Sequence, residues 1–139
     1  MAESAPSSDP KTKEILIVDD DEAMLNLLAI LVKRDGFRID LAGTGDDALE
    51  KLKRPHDAMI LDLMLPGTTS GFDVLARLKT FEGKVPPVIV VTAHAQTPQV
   101  QEVMADPNVA LFLSKPINQK KLLGALHRVL KTVNPQPAE

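Results

Sequence analysis

Apolar residues occur along the chain in two alternating patterns, short uninterrupted runs and longer segments with helical spacing. The runs have the length of strands buried on both faces, as in a parallel sheet, and lie at 14–18, 58–61, 88–91 and 109–113. An alternating segment, 37–41, predicts a further strand nearer an edge. A predicted amphipathic helix follows each strand, at 23–34, 46–53, 72–78, 99–104 and after an N-cap at Asn118.

Five repeats of strand and helix predict an α/β fold, a doubly wound five-stranded parallel sheet with helices on both faces. In such a sheet the carboxyl ends of the strands lie along one edge, where ligands bind. Asp62 or Thr92 alone would indicate only a turn or a strand end. Four strands, however, end in charged or hydroxyl groups, and we expect these to form one site: Asp19 with Asp20, Asp62, Thr92 and Lys115.

The length and composition are those of a single globular domain with a core of ordinary size. We place the folded domain at residues 13–132. Small, polar and Pro-containing segments predict flexible tails at 1–12 and 133–139. Because the sequence has no signal-peptide pattern and no run of about 18 apolar residues, we expect a cytoplasmic protein without a membrane partner.

Charge and aromatic content argue against a nucleic-acid partner. The net charge is −3, no Lys/Arg cluster is dense, and Trp and Tyr are absent, so the sequence predicts neither a phosphate-binding surface nor a stacking platform. We therefore expect no direct DNA binding. The absence of Cys excludes disulfides, thiolate zinc sites and cysteine nucleophiles.

The predicted site has the chemical groups of a phosphoryl-transfer centre. Carboxylates held close together repel one another strongly, and a cation is needed to compensate. Oxygen ligands without Cys or a neighbouring His favour a hard ion, Mg²⁺ in particular. With a metal, the Lys115 ammonium and the Thr92 hydroxyl around it, Asp62 is a candidate nucleophile that forms an aspartyl-phosphate.

Four segments together resemble the motifs of response-regulator receiver domains, the CheY-like domains of two-component signalling. They are Ile17-Val18-Asp19-Asp20-Asp21, Leu61-Asp62-Leu63-Met64-Leu65-Pro66-Gly67, Val91-Thr92-Ala93 and Ser114-Lys115-Pro116, and the resemblance extends from about Glu14 to Lys131. It implies the flavodoxin-like strand order 2-1-3-4-5 and Mg²⁺-dependent transfer of a phosphoryl group to Asp62. The donor would be the phosphohistidine of a histidine kinase or of a histidine phosphotransfer protein.

The resemblance also implies ligands for a metal. Asp19, Asp20 and Asp62 would hold Mg²⁺, with Mn²⁺ as an alternative, and the backbone carbonyl of Met64 would complete the protein ligands. Lys115 would pair with the phosphoryl group, and its peptide bond to the following proline would be cis.

A switch is implied as well, in which Thr92 and Phe112 move together. Their movement would repack the surface of the fourth helix, fifth strand and fifth helix, which binds a downstream protein. Met64 and His94 would flank the access of water to the phosphoryl group, and an apolar Met64 is expected to slow hydrolysis. Such a protein is not a conventional enzyme, although it catalyses its own phosphorylation and dephosphorylation. We expect a monomer or a phosphorylation-dependent dimer.

The chain departs from the family's pattern in two places. Residues 67–70 make the loop after Asp62 one residue longer than usual, and the segment between Thr92 and Lys115 is also about one residue longer. Because residues 94–99 are atypical, a stable fourth helix is not assumed. His56 and His127 are interpreted as surface or helix-face residues without a role.

Three alternatives stay open. A degenerate receiver would bind partners without being phosphorylated. A haloacid-dehalogenase-type phosphatase would need a second acid at the position of Met64. A flavodoxin-like nucleotide-binding protein would need a phosphate loop, which Gly-x-Gly-x-x-Ala at 43–48 matches only formally, since it follows the second strand and its two acids would repel a pyrophosphate.

Overall fold

The structure, a computed structural model, describes residues 9–93 and 97–132. Strands and helices alternate along it, as the apolar pattern predicts. The strands are β1 (Glu14–Val18), β2 (Arg38–Ala42), β3 (Ala58–Asp62), β4 (Val88–Thr92) and β5 (Val109–Ser114). The helices are α1 (Glu22–Arg34), α2 (Gly45–Lys51), α3 (Gly71–Leu78), α4 (Pro98–Val103) and α5 (Gln119–Leu130).

The strands form one parallel sheet in the order β2-β1-β3-β4-β5. This order confirms the predicted doubly wound α/β fold and the strand order that the resemblance implies. From β1 the chain proceeds to β2 on one side and then to β3 on the other, so β1 and β3 are neighbours in the middle of the sheet. In doubly wound sheets, ligands bind at this reversal, beyond the carboxyl ends of the strands.

Apolar layers cover both faces of the sheet. Every position of β3 and β4 is therefore buried. Successive side chains of a strand point to opposite faces. Met59 and Leu61 therefore pack in one layer with Leu75 of α3, whereas Ile60 packs in the other with Leu28 of α1. Packing on both faces fixes the strand that ends at Asp62.

The acidic run after β1 is divided between a helix cap and the edge of the sheet. Asp21 caps α1, since its carboxylate accepts the backbone N–H groups of Ala23 at 3.0 Å and Met24 at 3.3 Å. Asp19 and Asp20 precede the helix and stay at the strand end. A fourth helix, Pro98–Val103, is present close to the predicted range 99–104.

The N-terminal region differs in part from the expected tail. Pro10–Thr12 form a 3-10 helix, and Arg38 Nε donates to the carbonyl of Lys11 at 3.1 Å. Residues 1–8 and 133–139 lie outside the described residues, so the domain limits at 13 and 132 stay a prediction. Within the two described ranges, no helix is both long and apolar enough to span a membrane.

Candidate functional site

Three carboxylates meet at the carboxyl edge of β1 and β3. Asp19 and Asp20 follow β1 directly, and Asp62 is the last residue of β3. One ligand oxygen from each carboxylate lies within 4.8 Å of the other two. Asp19 and Asp62 are only 2% and 4% exposed, whereas Asp20 is exposed to solvent. The predicted acidic residues therefore form one cleft, open on the side of Asp20.

Lys115 brings a positive charge into this cleft. Its backbone N–H donates to the carbonyl of Thr92 at 2.8 Å, which ties the end of β5 to the end of β4. Its Nζ donates to Oδ2 of Asp62 at 2.9 Å and to Oδ2 of Asp19 at 3.3 Å. The peptide bond between Lys115 and Pro116 is cis, as the resemblance implies. The ammonium thus bridges the two buried carboxylates.

Burial and charge oppose one another at these groups. Burial raises the pKa of Asp19, and the nearby charge of Asp62 raises it further. The hydrogen bond from the Asp21 N–H and the charge of Lys115 lower it. The net result is a raised pKa for Asp19. For Lys115, burial disfavours the ammonium, yet the hydrogen bonds and charges of Asp62 and Asp19 prevail and raise its pKa. Lys115 therefore stays charged at neutral pH, while an ionised Asp19 is under electrostatic strain that a second cation would relieve.

The donor set of the cleft fits a hard divalent cation. Its side-chain ligands are all carboxylate oxygens, which Mg²⁺ prefers. Among the residues that the structure describes, one ammonium, that of Lys115, contacts two of the three carboxylates. Oδ1 of Asp62 accepts the backbone N–H of Met64 at 2.9 Å, so the peptide that joins Leu63 to Met64 lies beside the carboxylate. The Met64 carbonyl belongs to the next peptide, and its role as a ligand stays a prediction.

The loop between β3 and α3 folds back closely on the strand end. Gly71 N–H donates to the carbonyl of Leu63 at 3.1 Å. A Cβ on Gly71 would lie 2.4 Å from the carbonyl oxygen of Asp62, so only glycine permits this approach. Met64, by contrast, is 47% exposed.

The predicted switch residues lie on the neighbouring strands β4 and β5. Thr92 is fully buried at the end of β4 and is in register with Ser114 of β5. Phe112 is in register with Val90. It is partly buried and packs against the apolar layer to which Val90 belongs. A coupled movement of Thr92 and Phe112 stays a prediction. His94 lies outside the described residues, so its modulating role also stays a prediction.

Sequence reasoning missed an ionic cluster beside β2. His56, expected on the surface, is only 2% exposed; its Nε2 lies 2.9 Å from Oδ2 of Asp40 and its Nδ1 lies 3.0 Å from the carbonyl oxygen of Arg54. Arg54 also donates to Glu14 at 3.2 Å and to Asp40 at 2.6 Å. The available signal was an acid within an alternating strand, which indicates a half-buried charge in need of a partner. Since these carboxylates already have cationic partners, the cluster does not call for a metal.

His127 is likewise held by side-chain contacts. Its ring nitrogens lie 2.7 Å from the Thr132 hydroxyl oxygen and 2.9 Å from Oδ2 of Asp35, and its ring packs against Phe37 with centroids 4.9 Å apart. These contacts join the carboxyl ends of α5 and α1. His127 therefore has a structural position on the inner side of α5.

The fold and the cleft together define a class of protein. It is a doubly wound parallel α/β domain with an acidic cluster and a bridging lysine where the strand order reverses. The chain belongs to the response regulator receiver domain family, whose model matches residues 15–127.

Known relatives agree with this assignment. The DNA-binding response regulator MtrA of Mycobacterium tuberculosis is 34% identical over 136 residues, which cover 94% of this chain and 56% of MtrA. A CheY-like receiver domain protein from Methanospirillum hungatei JF-1 has a TM-score of 0.76 at 27% identity, covering 85% of this chain and 93% of that one.

A third similar protein is the receiver domain of sensor histidine kinase PA1611 from Pseudomonas aeruginosa PAO1. It is 24% identical, with a TM-score of 0.76 over 86% of this chain and 98% of that one, which shows a common fold. That structure has a magnesium ion coordinated in its active-site cleft.

The expectation of no direct DNA binding was wrong. MtrA, one of the relatives that the chain matches, is a DNA-binding response regulator. Net charge and aromatic content describe only the residues of this chain. The chain spans about half the length of the curated relatives it matches, and composition cannot exclude a property of the longer proteins.

Proposed function

We propose that the protein is the phosphoacceptor receiver of a two-component or phosphorelay system and that Asp62 is the residue phosphorylated. The observation that carries this proposal is the contact of Lys115 Nζ with the buried carboxylates of Asp62 and Asp19. A carboxylate at a strand end, beside a fixed ammonium and further acids, has the surroundings that phosphoryl transfer requires.

In the proposed reaction, a carboxylate oxygen of Asp62 attacks the phosphorus of a phosphohistidine. The O–P bond forms as the P–N bond breaks, and the donor imidazole leaves with the electron pair and takes up a proton. Lys115 exchanges its contact with the Asp62 carboxylate for one with a phosphoryl oxygen. The Thr92 hydroxyl donates to another phosphoryl oxygen, so charge that develops in the transition state meets fixed donors.

Mg²⁺, or Mn²⁺ in its place, would be held by Asp19, Asp20 and Asp62 and by the backbone carbonyl of Met64. When bound, the ion supplies positive charge to the phosphoryl oxygens. The proposal is supported by the clustering of the three carboxylates within 4.8 Å. The magnesium ion in the cleft of the Pseudomonas receiver domain, a protein of the same fold, is consistent with it.

Phosphorylation of Asp62 would act on a partner through Thr92 and Phe112. Movement of these two side chains changes the surface of α4, β5 and α5, to which a downstream protein binds. In this scheme the receiver is cytoplasmic, and its phosphodonor is a histidine kinase or a histidine phosphotransfer protein. The receiver acts as a monomer or dimerises on phosphorylation. This chemistry is also compatible with a DNA-binding output, the property by which MtrA is named.

Incubation with acetyl phosphate and MgCl₂, followed by intact-mass measurement, tests the proposal. We expect a gain of one phosphoryl group that EDTA prevents and that Asp62→Asn abolishes. Asp47→Asn, a change of the same chemistry in α2 outside the cleft, should leave the gain intact. No gain in the folded wild-type protein from acetyl phosphate or from a phosphorylated histidine phosphotransfer protein would overturn it.

The alternatives predict other outcomes of the same experiment. A degenerate receiver would gain no phosphate although it folds. A phosphatase would release phosphate continuously without a stable gain, but the exposed Met64 stands where its second acid would be. A nucleotide-binding protein is disfavoured because residues 43–48 begin α2 with a threonine cap and two acids in the first turn.

A further inference from the structure

The loop between β3 and α3 is joined by a side-chain hydrogen bond to an element beyond the proposed phosphorylation site. The hydroxyl of Thr69, near the end of this loop, donates to Oδ1 of Asp46 at 2.5 Å. Asp46 lies in the first turn of α2. The distance is typical of a charge-assisted bond from a hydroxyl to a carboxylate, which is stronger than a bond between neutral groups.

The backbones at this contact are also close. A Cβ on Gly45 would lie 2.3 Å from the carbonyl oxygen of Thr69 and 2.7 Å from its Cγ2. The loop therefore rests directly on the first residue of α2, and the absence of a side chain at Gly45 permits it. Hydroxyl, methyl and carbonyl groups of Thr69 all take part in the contact.

The two elements that meet here lead to opposite walls of the acidic cleft. On one side, Asp19 N–H donates to the carbonyl of Ala42 at 3.1 Å, and Ala42 ends β2 just before α2 begins. On the other side, the loop begins at the strand end and carries Met64, whose N–H donates to Asp62. The bond between Asp46 and Thr69 thus joins the wall that holds Asp19 to the wall that holds Met64.

Leu63 and Leu65, at the start of the loop, pack in the apolar layer that contains Ala42 and Ala48. The other hydrogen bonds described for the loop go to its own strand and helix. Gly71 N–H bonds to Leu63, and the N–H of Ser70 donates to the Asp73 carboxylate at 2.8 Å as part of the α3 capping box. Neither contact sets the position of the loop relative to β1 and β2. Among the hydrogen bonds described for this loop, the one at Thr69 links its far end to α2.

We propose that Asp46 and Thr69 are positioning residues for the metal: by fixing the loop against α2, they set the distance between the Met64 carbonyl and the carboxylates after β1. The inference rests on the proposed function, since it requires a divalent cation in the cleft. Neither residue needs to touch the ion. Groups that orient metal ligands commonly change affinity on the order of tenfold or more when they are removed.

Calorimetric titration with MgCl₂ tests the inference in matched pairs of variants. Thr69→Val keeps the shape of the side chain and removes its donor, and Asp46→Ala removes the acceptor. We expect each to weaken Mg²⁺ binding on the order of tenfold. Thr69→Ser and Asp46→Asn retain a donor and an acceptor and should bind within about threefold of wild type, the usual context dependence of such effects.

A control separates positioning from a loss of stability. Asn118→Ala removes the N-cap of α5, far along the chain from this loop, and should lower the unfolding midpoint without weakening Mg²⁺ binding. Thr69→Val should instead weaken Mg²⁺ binding at a temperature where circular dichroism shows it fully folded. If Asp46→Ala and Thr69→Val bind Mg²⁺ as wild type does, the inference is overturned.

The outcome is distinguishable from failure of the proposed function. A wild-type protein that neither binds Mg²⁺ nor gains phosphate would refute the proposed function itself. A wild type that does both, with variants indistinguishable from it, would refute only the positioning role. Equal weakening in Asp46→Asn and Asp46→Ala would also contradict the inference, because it would assign the effect to the charge of Asp46 alone.

Discussion

Lys115 Nζ lies 2.9 Å from Oδ2 of Asp62, although 53 residues separate the two in the sequence. The pairing of β4 with β5 holds Lys115 in place, since its backbone N–H bonds to the carbonyl of Thr92. The ammonium is therefore already located where charge would develop on a transferred phosphoryl group. Little rearrangement would be needed at the moment of reaction.

Lys115→Met should slow phosphorylation of Asp62. The change keeps an unbranched side chain of nearly the same length but removes the ammonium, and we expect the rate with acetyl phosphate to fall on the order of 10²-fold. Timed intact-mass measurement gives this rate. Calorimetric Mg²⁺ affinity should not fall, because a positive charge beside the cation site has been removed; a parallel loss of Mg²⁺ binding would indicate that the cleft had collapsed instead.

Asp19→Asn should stabilise the protein when no metal is present. The pKa of Asp19 is raised chiefly by burial, so its ionised form is disfavoured in the folded state and destabilises the protein at neutral pH. In EDTA, we expect a higher free energy of unfolding for the variant, measured by urea titration and circular dichroism. A lower value would contradict this account of the cleft.

Addition of Mg²⁺ should make the wild type more stable than Asp19→Asn. At a free Mg²⁺ concentration of 100 times Kd, a ligand that binds only the folded state adds about 2.7 kcal/mol to wild-type stability. Asp19→Asn has one carboxylate fewer and should gain clearly less at the same concentration. The same urea titrations, repeated with MgCl₂, give both values, and an equal gain in the two proteins would exclude Asp19 as a ligand.

Asp40→Asn should reduce the loss of stability in acid. Burial alone would raise the pKa of Asp40, but the hydrogen bonds and charges of His56 and Arg54 prevail and lower it. A carboxyl group of this kind stabilises the fold fully above its ordinary pKa of about 4, and its contribution is lost as the pH falls through the lower folded-state value. Wild type should therefore lose more stability than the variant below about pH 4.

Urea titrations at a series of acidic pH values measure this difference. The variant should be the less stable protein at neutral pH, because His56 and Arg54 lose a charged partner. Asp57, whose pKa is also lowered, is present in both proteins and cancels in the comparison. Parallel profiles for the two proteins would show that Asp40 does not contribute to the acid transition.

Gly71→Ala and Gly124→Ala should have opposite effects on stability. A Cβ at Gly71 would meet the Asp62 carbonyl oxygen at 2.4 Å and the Leu63 Cα at 2.5 Å, and we expect a loss of about 1–3 kcal/mol. Gly124 lies in α5 with no atom within 4 Å of the added Cβ, so alanine there should add about 0.5–1 kcal/mol. Chemical denaturation measures both, and a neutral Gly71→Ala would contradict the close approach of the loop.

Met64→Asn should change the lifetime of phosphorylated Asp62. Met64 lies two residues beyond Asp62 and is 47% exposed, and an apolar side chain offers an attacking water no hydrogen bond. Asparagine at this position can orient the water, and we expect hydrolysis to accelerate on the order of tenfold. The decay of the phosphorylated form, followed by intact mass after the donor is removed, gives the rate; an unchanged rate would refute this role.

Much of the fold was predictable because strands buried on both faces produce uninterrupted apolar runs. β3 and β4 stood out for this reason, and their polar ends marked Asp62 and Thr92 as site candidates. The N-cap of α5 at Asn118 was also predictable. Local patterns of this kind depend on the spacing of apolar residues and on hydrogen bonds between residues that are close in the sequence. Both are specified by the order of the residues alone.

The buried histidine was not predictable in the same way. His56 follows a proline in a polar segment, which favours a surface position, and its partner Asp40 lies in β2, 16 residues earlier in the sequence. The contact of Thr69 with Asp46 likewise joins a loop to the first turn of α2, 23 residues away in the sequence. Periodicity can mark one charged residue, as at Asp40, but it does not indicate which distant residue is its partner.

By itself, then, the sequence determined the alternation of strands and helices, the parallel sheet and the strand-end residues, since these follow from periodicity and chain order. Only the tertiary structure decided which of those residues touch. It brought Lys115 onto Asp62 and Asp19, buried two carboxylates while leaving Asp20 in solvent, and folded the loop back over Gly71. Distances and burial depend on how whole elements pack, and packing is a property of all the side chains together.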